Sequence, residues 1–350
     1  MKRIFLGIIS SLFLFSCNNK HIVEHVDRAF YFWKSNSSID DENLKKIKEL
    51  RVRKLYVKLF EVDYSEARGN YPFEKNRMSR NELQKTDSIT VIPTVFIKNG
   101  IFQFNDEKSL NQLADNIVFL IEKYSKDEYD VKTKIFEYNE IQIDCDWTKS
   151  TKDKYFYLLK KVKELSKKEL SCTLRLYPYK YPDVMGVPPV DKVSLMCYNI
   201  IKPLSRKDKN SILDIDELKK YLGKKKSYPV HIDVALPVFY WTQLYQNNQF
   251  VKLLDFSTNE VREFAKPKEP LWYEVKKDTS FNYGETYLKA GDQIKSEEIA
   301  VATINEAISL IKKQVDLDKT TTISLFDLDA STFKQYSNEE ISGFYDGFTK

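Results

Sequence analysis

The sequence is poor in the residues on which several well-known protein chemistries depend. Among 350 residues there are four cysteines, three histidines and nine glycines. Four cysteines are too few for a disulfide scaffold, and three histidines leave almost no material for a histidine-based zinc site. The chain has no glycine-rich phosphate loop, no Gly-x-Gly-x-x-Gly and no Gly-x-Ser-x-Gly motif. Nucleotide binding by those loops and α/β-hydrolase catalysis are therefore not expected.

An excess of charge of one sign is also lacking. Lys plus Arg number 56 and Asp plus Glu number 51, so the net charge is only +5. Nucleic-acid binders usually carry a strongly basic face, so no nucleic-acid partner is expected. The compact basic run at 224–226 is interpreted as a solvated turn. The chain is 42% hydrophobic and 14% aromatic, which is enough for a full core and excludes disorder.

Long hydrophobic runs are scarce, and the one at the start of the chain is short. A basic start precedes an apolar run over residues 4–15. The run has about 12 residues, whereas a membrane span needs about 20, so residues 1–17 are predicted to be a secretory signal peptide. The signal ends in Leu-Phe-Ser-Cys at Cys17, which resembles a bacterial lipobox. An ordinary signal peptide with a chance cysteine is the alternative.

Lipidation at Cys17 would place the protein in the bacterial cell envelope, outside the cytoplasm. Several acyl chains on one cysteine would anchor it stably to a membrane, since a single chain binds only marginally. Residues 18–26 would then form a tether and residues 27–350 the folded domain. The other cysteines, at 145, 172 and 197, lie in apolar strand-like runs. They are predicted to be buried free thiols, with a bridge between neighbouring strands as the alternative.

Short apolar runs alternate with segments of helical periodicity along the chain. The predicted strands are 29–33, 54–60, 88–97, 140–146, 170–177, 192–198, 230–236 and 322–328. The main predicted helices are 40–50, 107–124, 152–166, 212–222 and 296–315. Strands joined by helical crossovers form a parallel sheet, and eight strands close a barrel. The prediction is an α/β fold, a (β/α)8 TIM barrel. An open doubly wound sheet is the alternative, although no glycine-rich turn follows the first strand.

The stretch from about 245 to 293 is too long for a simple loop. It contains prolines, aromatic residues and a Tyr-Gly turn. We interpret it as an insertion between barrel strands seven and eight, with a small hairpin.

In a closed barrel the active site lies at the C-terminal ends of the strands. Carboxylates and aromatic residues are concentrated at those predicted ends. They comprise Trp33, Glu61, Asp63, Asp144, Asp146, Trp147, Arg175, Tyr177, Tyr198, Asn199, Tyr240 and Asp327. Sugars present flat apolar faces and hydroxyl edges, which aromatic platforms and carboxylates suit.

Asp144 and Asp146 are two residues apart on predicted strand four, so both side chains are expected to face the barrel interior. Two close carboxylates do not both ionise easily, and one pKa should rise, as in a general acid. A structural pair satisfied by hydrogen bonds or by Arg175 is one alternative. Oxygen ligation of Ca²⁺ or Mg²⁺ with Glu61 or Asp327 is another, but the prediction is a site without metal or cofactor.

The segment Ile-Asp-Cys-Asp-Trp-Thr over 143–148 resembles the strand-four motif of family-18 glycoside hydrolases, which are (β/α)8 chitinase-type enzymes. Asp144 and Asp146 match the second and third acids of that motif, and Trp147 matches its tryptophan. The segment 196–199 resembles the strand-six Met-x-Tyr-Asp motif, with Tyr198 in place and asparagine at 199. The segment 236–240 resembles the strand-seven turn loosely. The resemblance implies a glycan substrate.

The departures from the family pattern matter most for function. The first acid falls on Ile141, and the catalytic Glu falls on Thr148. That Glu is the family's proton donor in substrate-assisted hydrolysis, and threonine cannot replace it. The chain is also similar to a poorly characterised bacterial family of glycoside-hydrolase-like barrels with the same Asp-x-Asp pattern and no Glu.

Three functions therefore remain open. In the first, the protein hydrolyses glycosidic bonds, with Asp144 and Asp146 at the scissile bond and Glu61, Asp63 or Asp327 as the second carboxyl group. In the second, the same barrel binds a glycan on its aromatic rim without catalysis. In the third, it is a structural or partner-binding surface protein that uses the insertion as its contact.

Overall fold

The computed structural model of the chain describes residues 22–35, 39–76, 89–202, 204–223, 227–281 and 286–349. The predicted signal peptide, the predicted lipidation site Cys17 and the basic run at 224–226 lie outside these residues. Within the described part, no helix is both long enough and apolar enough to cross a membrane.

Eight parallel strands close into a barrel, which confirms the predicted fold class. In chain order they are His25–Phe32, Lys54–Ser65, Thr90–Ile97, Glu140–Asp144, Glu169–Arg175, Lys192–Met196, His231–Pro237 and Thr320–Phe326. We call them barrel strands one to eight. Strand one pairs with strand eight and also with strand two, and Phe30 is in register with both Leu325 and Leu55. The pairing of the first strand on both edges closes the sheet.

Helices cover the outside of the barrel. The longer ones are Asp41–Glu49, Glu107–Tyr124, Lys152–Ser166, Ile215–Leu222, Val301–Gln314 and Asn338–Asp346. Shorter elements are the 3₁₀ helix Asn99–Gln103 and the helices Leu176–Lys180, Pro182–Met185, Thr258–Phe264 and Ala330–Gln335. The helix Glu107–Tyr124 begins with a capping box between Asp106 and Ser109, which satisfies amide groups that its first turn leaves free. It buries an apolar face at helical spacing against the sheet.

Alternate residues of each strand face the helices and the barrel interior. On strand four, Ile141 and Ile143 belong to the apolar core, whereas Gln142 makes polar contacts inside the barrel. The Tyr31 hydroxyl lies 2.8 Å from Gln142 Oε1 and 3.1 Å from Ser194 Oγ. Because these groups come from strands one, four and six, they meet only when the barrel is closed.

The segment between strands seven and eight is larger than a loop with a hairpin. It forms a five-stranded antiparallel sheet in the order Gln249–Leu254, Trp241–Gln246, Gln293–Glu297, Trp272–Val275 and Ala265–Glu269. A two-stranded hairpin, Thr279–Phe281 with Thr286–Leu288, accompanies it. The sheet starts four residues after strand seven ends and has a small apolar core of its own. Its strands are short and two of its pairings carry bulges, which is why sequence periodicity did not reveal them.

Several barrel strands end earlier than predicted. Strand four ends at Asp144, strand five at Arg175 and strand six at Met196, so Asp146, Tyr177 and Tyr198 lie beyond their strands. The short hairpin strand Gly69–Phe73 pairs with the extended end of strand two.

The thiols of Cys145, Cys172 and Cys197 are buried and free, as predicted. His231 opens strand seven at the N-terminal end of the barrel, where its ring contacts Asp233 at 3.1 Å and Asp318 at 2.5 Å. The Asp233 hydrogen bond is the main cause that raises the pKa of His231 to about 9. This histidine is a structural ion-pair partner.

Candidate functional site

Asp144 ends strand four and points into the barrel. It is 8% exposed, and the Thr173 hydroxyl on strand five donates a hydrogen bond of 2.5 Å to its Oδ1. Burial raises the pKa of Asp144 to about 7, and the charges of Asp146 and Glu61 add to the rise, while the Thr173 hydrogen bond opposes it. The carboxyl group can therefore hold or release a proton near neutral pH.

Asp146 does not share the interior with Asp144, contrary to the prediction. Strand four has ended, so the alternation of side chains no longer applies, and half of the Asp146 side chain is exposed. Its carboxylate pairs with Arg175 at 2.8 Å. The second arm of the Arg175 guanidinium donates to the backbone carbonyl of Asn199 at 3.2 Å. Asp146 therefore fits the alternative in which the acid has a structural role and its charge is paired with Arg175.

Asn199 follows strand six in the left-handed region, at a φ of 51°, which asparagine tolerates better than most residues. Its side-chain oxygen Oδ1 is buried without a hydrogen-bond partner among the described residues. The loop thereby presents a carbonyl to Arg175 and holds Tyr198 at the end of the strand.

Position 148, where the family-18 motif has the catalytic Glu, is a threonine whose hydrogen bonds stabilise a backbone turn. The amide of Thr148 donates to Thr151 Oγ1 at 2.9 Å, and its hydroxyl lies 3.0 Å from that of Ser150. These contacts shape the turn before the helix Lys152–Ser166. Thr148 carries no group that could supply a proton at neutral pH.

Glu61 is held at the mouth by a lysine that sequence reasoning missed. Lys58 is 5% exposed, and its ammonium lies 2.5 Å from Glu61 Oε1 and 5.5 Å from the ring centre of Trp33. Residues three apart on a strand normally face opposite sides. Here the register shifts between Lys58 and Phe60, and this bulge turns Lys58 and Glu61 to the same side.

Aromatic rings at the C-terminal ends of strands one, six, seven and eight meet at the mouth; we call Trp33, Tyr198, Phe239 and Phe326 the aromatic cluster. Phe326 lies at its centre, with ring centroids 5.7 Å from Trp33, 5.2 Å from Tyr198 and 5.7 Å from Phe239. Trp33 and Phe326 remain partly exposed. The exposed parts of Trp33 and Phe326 offer apolar ring surface of the kind that sugar faces contact.

Asp327 follows strand eight beside this cluster. Burial, and then the charge of Asp329, raises the pKa of Asp327 to about 7, while Lys34 opposes the rise. Asp329 itself forms an ion pair with Lys34. Burial chiefly, and also the charges of Asp144 and Asp327, raises the pKa of the Tyr198 hydroxyl well above its usual value.

The other predicted binding residues occupy different environments. Trp147 is 4% exposed; its ring stacks on Tyr155 and its indole N–H donates to the Met185 carbonyl, so it packs beneath the rim. Tyr177 is 48% exposed. Tyr240 is half-buried, and burial raises its pKa to about 12.

A pocket of about 370 Å³ lies beside the mouth. Its lining includes Asp146, Trp147, Thr148, Arg175, Tyr177 and Val184. The structure thus brings Asp146, Arg175 and Tyr177 to one cavity. It brings Asp144, Glu61, Trp33, Tyr198 and Asp327 to the adjoining barrel mouth.

A sequence signal could have located one of the two missed residues, Phe326, but not Lys58. Phe326 is inward on strand eight, two residues after Ser324, so alternation places it at the mouth. Lys58 needs the bulge, for which the sequence carries no local sign. Among the described residues, no cluster of three or more His, Cys, Asp or Glu could hold a metal ion.

No family model and no curated protein matches the sequence. Solved structures do match. Spore cortex-lytic enzyme SleL of Bacillus cereus has a TM-score of 0.56 at 15% identity, over 93% of this chain and 75% of that one. SleL of Bacillus megaterium has a TM-score of 0.53 at 12% identity, over 94% and 75%.

A mutant plant class V chitinase from Cycas revoluta, in complex with (GlcNAc)3, has a TM-score of 0.50 at 10% identity, over 91% of this chain and 99% of that one. At such identities the similarity concerns the fold. The chain has a family-18-like glycoside hydrolase fold, built as a closed (β/α)8 barrel.

Proposed function

We propose that the protein acts on a glycan at the C-terminal mouth of the barrel and hydrolyses its glycosidic bonds. One observation carries this proposal: the buried Asp144 and the partly buried Asp327 both have pKa values near 7 beside the aromatic cluster. General acid–base catalysis is most efficient when the catalytic pKa lies near the operating pH. Groups of this kind can divide the acid and base roles between them.

In the proposed reaction, protonated Asp144 gives its proton to the glycosidic oxygen as the bond from C1 to that oxygen breaks. Ionised Asp327 takes a proton from the water molecule that attacks C1. The products contain one added water, and proton exchange with solvent restores both carboxyl groups. This assignment follows the two-carboxylate scheme of glycosidases and supplies the proton that Thr148 cannot.

The names of the structural neighbours support a glycan as the ligand. One group is described as cortex-lytic, and the chitinase is described in complex with (GlcNAc)3. The aromatic cluster and the exposed Tyr177 match the apolar faces of sugars, and Asp146, Arg175 and Glu61 match their hydroxyl edges.

Glycan binding without catalysis is the second candidate, and particular contacts favour it. Position 148 lacks the Glu, and Thr148 is engaged by its own turn. Asp146 is paired with Arg175 and Glu61 with Lys58. Carboxylates held by cations are good hydrogen-bond acceptors for sugar hydroxyls.

Release of reducing ends from a glycan panel that includes chitin and peptidoglycan strands tests the proposal. The samples are the full chain in mild detergent, Asp144→Asn, Asp327→Asn and the exposed control Asp216→Asn. New ends that disappear in the first two variants and persist in the control support hydrolysis by this pair. Ends that persist in Asp144→Asn contradict its role as the acid.

Binding of the same panel separates the two candidates. A native chain that binds a glycan without producing new ends supports the binding function. Loss of that binding in Trp33→Ala, with a folded protein by circular dichroism, locates it at the aromatic cluster. A native chain that neither binds nor cleaves any member of the panel contradicts both candidates.

We also propose, on the sequence alone, that Cys17 is lipidated and holds the protein in the bacterial cell envelope. Cells fed a labelled fatty acid should incorporate the label into the native protein and not into Cys17→Ser. The variant should also move from the membrane fraction to the soluble fraction. A variant that stays labelled would contradict lipidation at this residue.

A further inference from the structure

We propose that a shelf of aromatic residues beside the mouth binds a second stretch of the same saccharide, so that the protein acts on glycan chains in preference to short oligosaccharides. The outer shelf consists of Tyr177, Tyr181, Val184 and Tyr221. This inference rests on the proposed function, and it extends that function by naming the substrate class.

Local helix geometry explains why the shelf is exposed. After strand five, the helix Leu176–Lys180 buries Leu176 and Tyr179. Tyr177 and Tyr181 are four residues apart, a spacing that places two side chains on one face of a helix. Their ring centroids are 4.9 Å apart, and the side chains remain 48% and 39% exposed.

A second turn of helix adds an exposed apolar side chain to this surface. Pro182 begins the helix Pro182–Met185 at a position where proline is favoured. Met185 is buried in this helix, whereas Val184 is 40% exposed. The segment therefore presents Tyr177, Tyr181 and Val184 to solvent.

Two cavities meet at Val184. The pocket beside the mouth contains Asp146, Arg175 and Tyr177. The second pocket, of about 390 Å³, is lined by Tyr181, Tyr221 and Val184, together with Tyr179, Lys180 and Asp183. Because Val184 belongs to both linings, a ligand that leaves the first pocket continues over the outer shelf.

Charge and polarity in the second pocket suit a neutral saccharide. The Lys180 ammonium lies 5.1 Å from the ring centre of Tyr181 and 6.0 Å from that of Tyr221, so one cation is flanked by two rings. Lys180 is also bound to the Lys220 carbonyl at 2.7 Å. Asp183 in the same lining carries the opposite charge, so polar groups lie around apolar faces.

One polar group in the wall of this pocket lacks a partner. Tyr179 is 6% exposed, and its hydroxyl is buried without a hydrogen-bond partner in the described part of the chain. Buried polar groups in native proteins are usually hydrogen-bonded. This hydroxyl is enclosed by protein, so Tyr179 lines the pocket with its ring and not with its polar group.

The test compares the affinity of the full chain for soluble glycol chitin and for (GlcNAc)3, and for peptidoglycan strands and their disaccharide. The variants are Tyr181→Ala and Tyr221→Ala. Tyr181→Phe keeps the ring, and Tyr129→Ala is the matched control because Tyr129 is 96% exposed on another loop. For each protein the measured quantity is the ratio of polymer affinity to short-ligand affinity.

We expect this ratio to fall about three- to tenfold in each alanine variant, since loss of one aromatic contact weakens binding by up to about tenfold. Tyr181→Phe and Tyr129→Ala should keep the native ratio. An unchanged ratio in both alanine variants, with polymer still bound, overturns the shelf and leaves the proposed function intact. A native chain that binds neither polymer overturns both the outer shelf and the proposed function.

Discussion

Replacement of Asp144 by asparagine should make the protein more stable at alkaline pH relative to the native chain. The pKa of Asp144 is raised from its usual 3.8 to about 7 by burial. The folded state therefore holds this proton more tightly than the unfolded chain does. The stabilisation from the bound proton is complete below the unfolded pKa and is lost as the pH rises through the folded pKa.

The size of the effect follows from the shift. A difference of about three pKa units corresponds to about 4 kcal/mol between the two protonation states. At pH 5 the Asp144 carboxyl group is already ionised in the unfolded chain and still protonated in the folded one. Part of the stabilisation from the bound proton has therefore already been lost at that pH. Between pH 5 and pH 8 the remaining loss is about 2 to 3 kcal/mol. Asparagine does not ionise, and its Oδ1 can still accept the Thr173 hydrogen bond.

Urea unfolding followed by tryptophan fluorescence measures this directly, because the chain contains four tryptophans. The free energy of unfolding of Asp144→Asn minus that of the native chain should rise by about 2 to 3 kcal/mol from pH 5 to pH 8. Other titrating groups cancel in this difference. Asp216→Asn, whose side chain is 80% exposed, should show no such trend. Parallel profiles for native and Asp144→Asn would refute the raised pKa.

Three further predictions concern ion pairs. Lys58→Met should lower the free energy of unfolding by about 1 to 3 kcal/mol, because Glu61, whose side chain is 14% exposed, is left without its cation; Lys58→Met with Glu61→Gln should recover most of it, and equal loss in both contradicts the pairing. His231→Gln should remove a stabilisation of roughly 2 to 3 kcal/mol that the native chain has below about pH 6.5 and loses by about pH 9; calorimetry at both pH values checks this, and a native chain without that loss disproves it. Lys295→Met should destabilise the insertion by about 3 to 5 kcal/mol, since the Lys295 ammonium is buried 2.8 Å from Glu297; hydrogen exchange confined to residues 241–297 would show it.

The barrel could be predicted because its signals are local. The helices Glu107–Tyr124 and Lys152–Ser166 begin and end where their periodicity indicates. The insertion was located between strands seven and eight, but its five-stranded sheet was not foreseen. Short antiparallel strands such as Ala265–Glu269 carry charged residues and a proline, so their pairing depends on partners far away in sequence.

The candidate site was only partly predictable for the same reason. Strand alternation identifies Asp144 as an interior acid and would also have identified Phe326. It fails at Asp146, because the strand ends two residues earlier and the side chain turns to Arg175. It also fails at Lys58, where a bulge brings the ammonium to Glu61.

By itself, the sequence determined the order of strands and helices, the closed barrel, the absent Glu at position 148 and the group of carboxylates at the strand ends. Those features depend on side-chain chemistry and on periodicities that extend over a few residues. The tertiary structure decided which carboxylates are neutralised and which keep a raised pKa. Burial and ion pairing arise between strands that are distant in sequence, so Asp144 and Asp327 differ from Asp146 and Glu61 only because of what the closed barrel places around them.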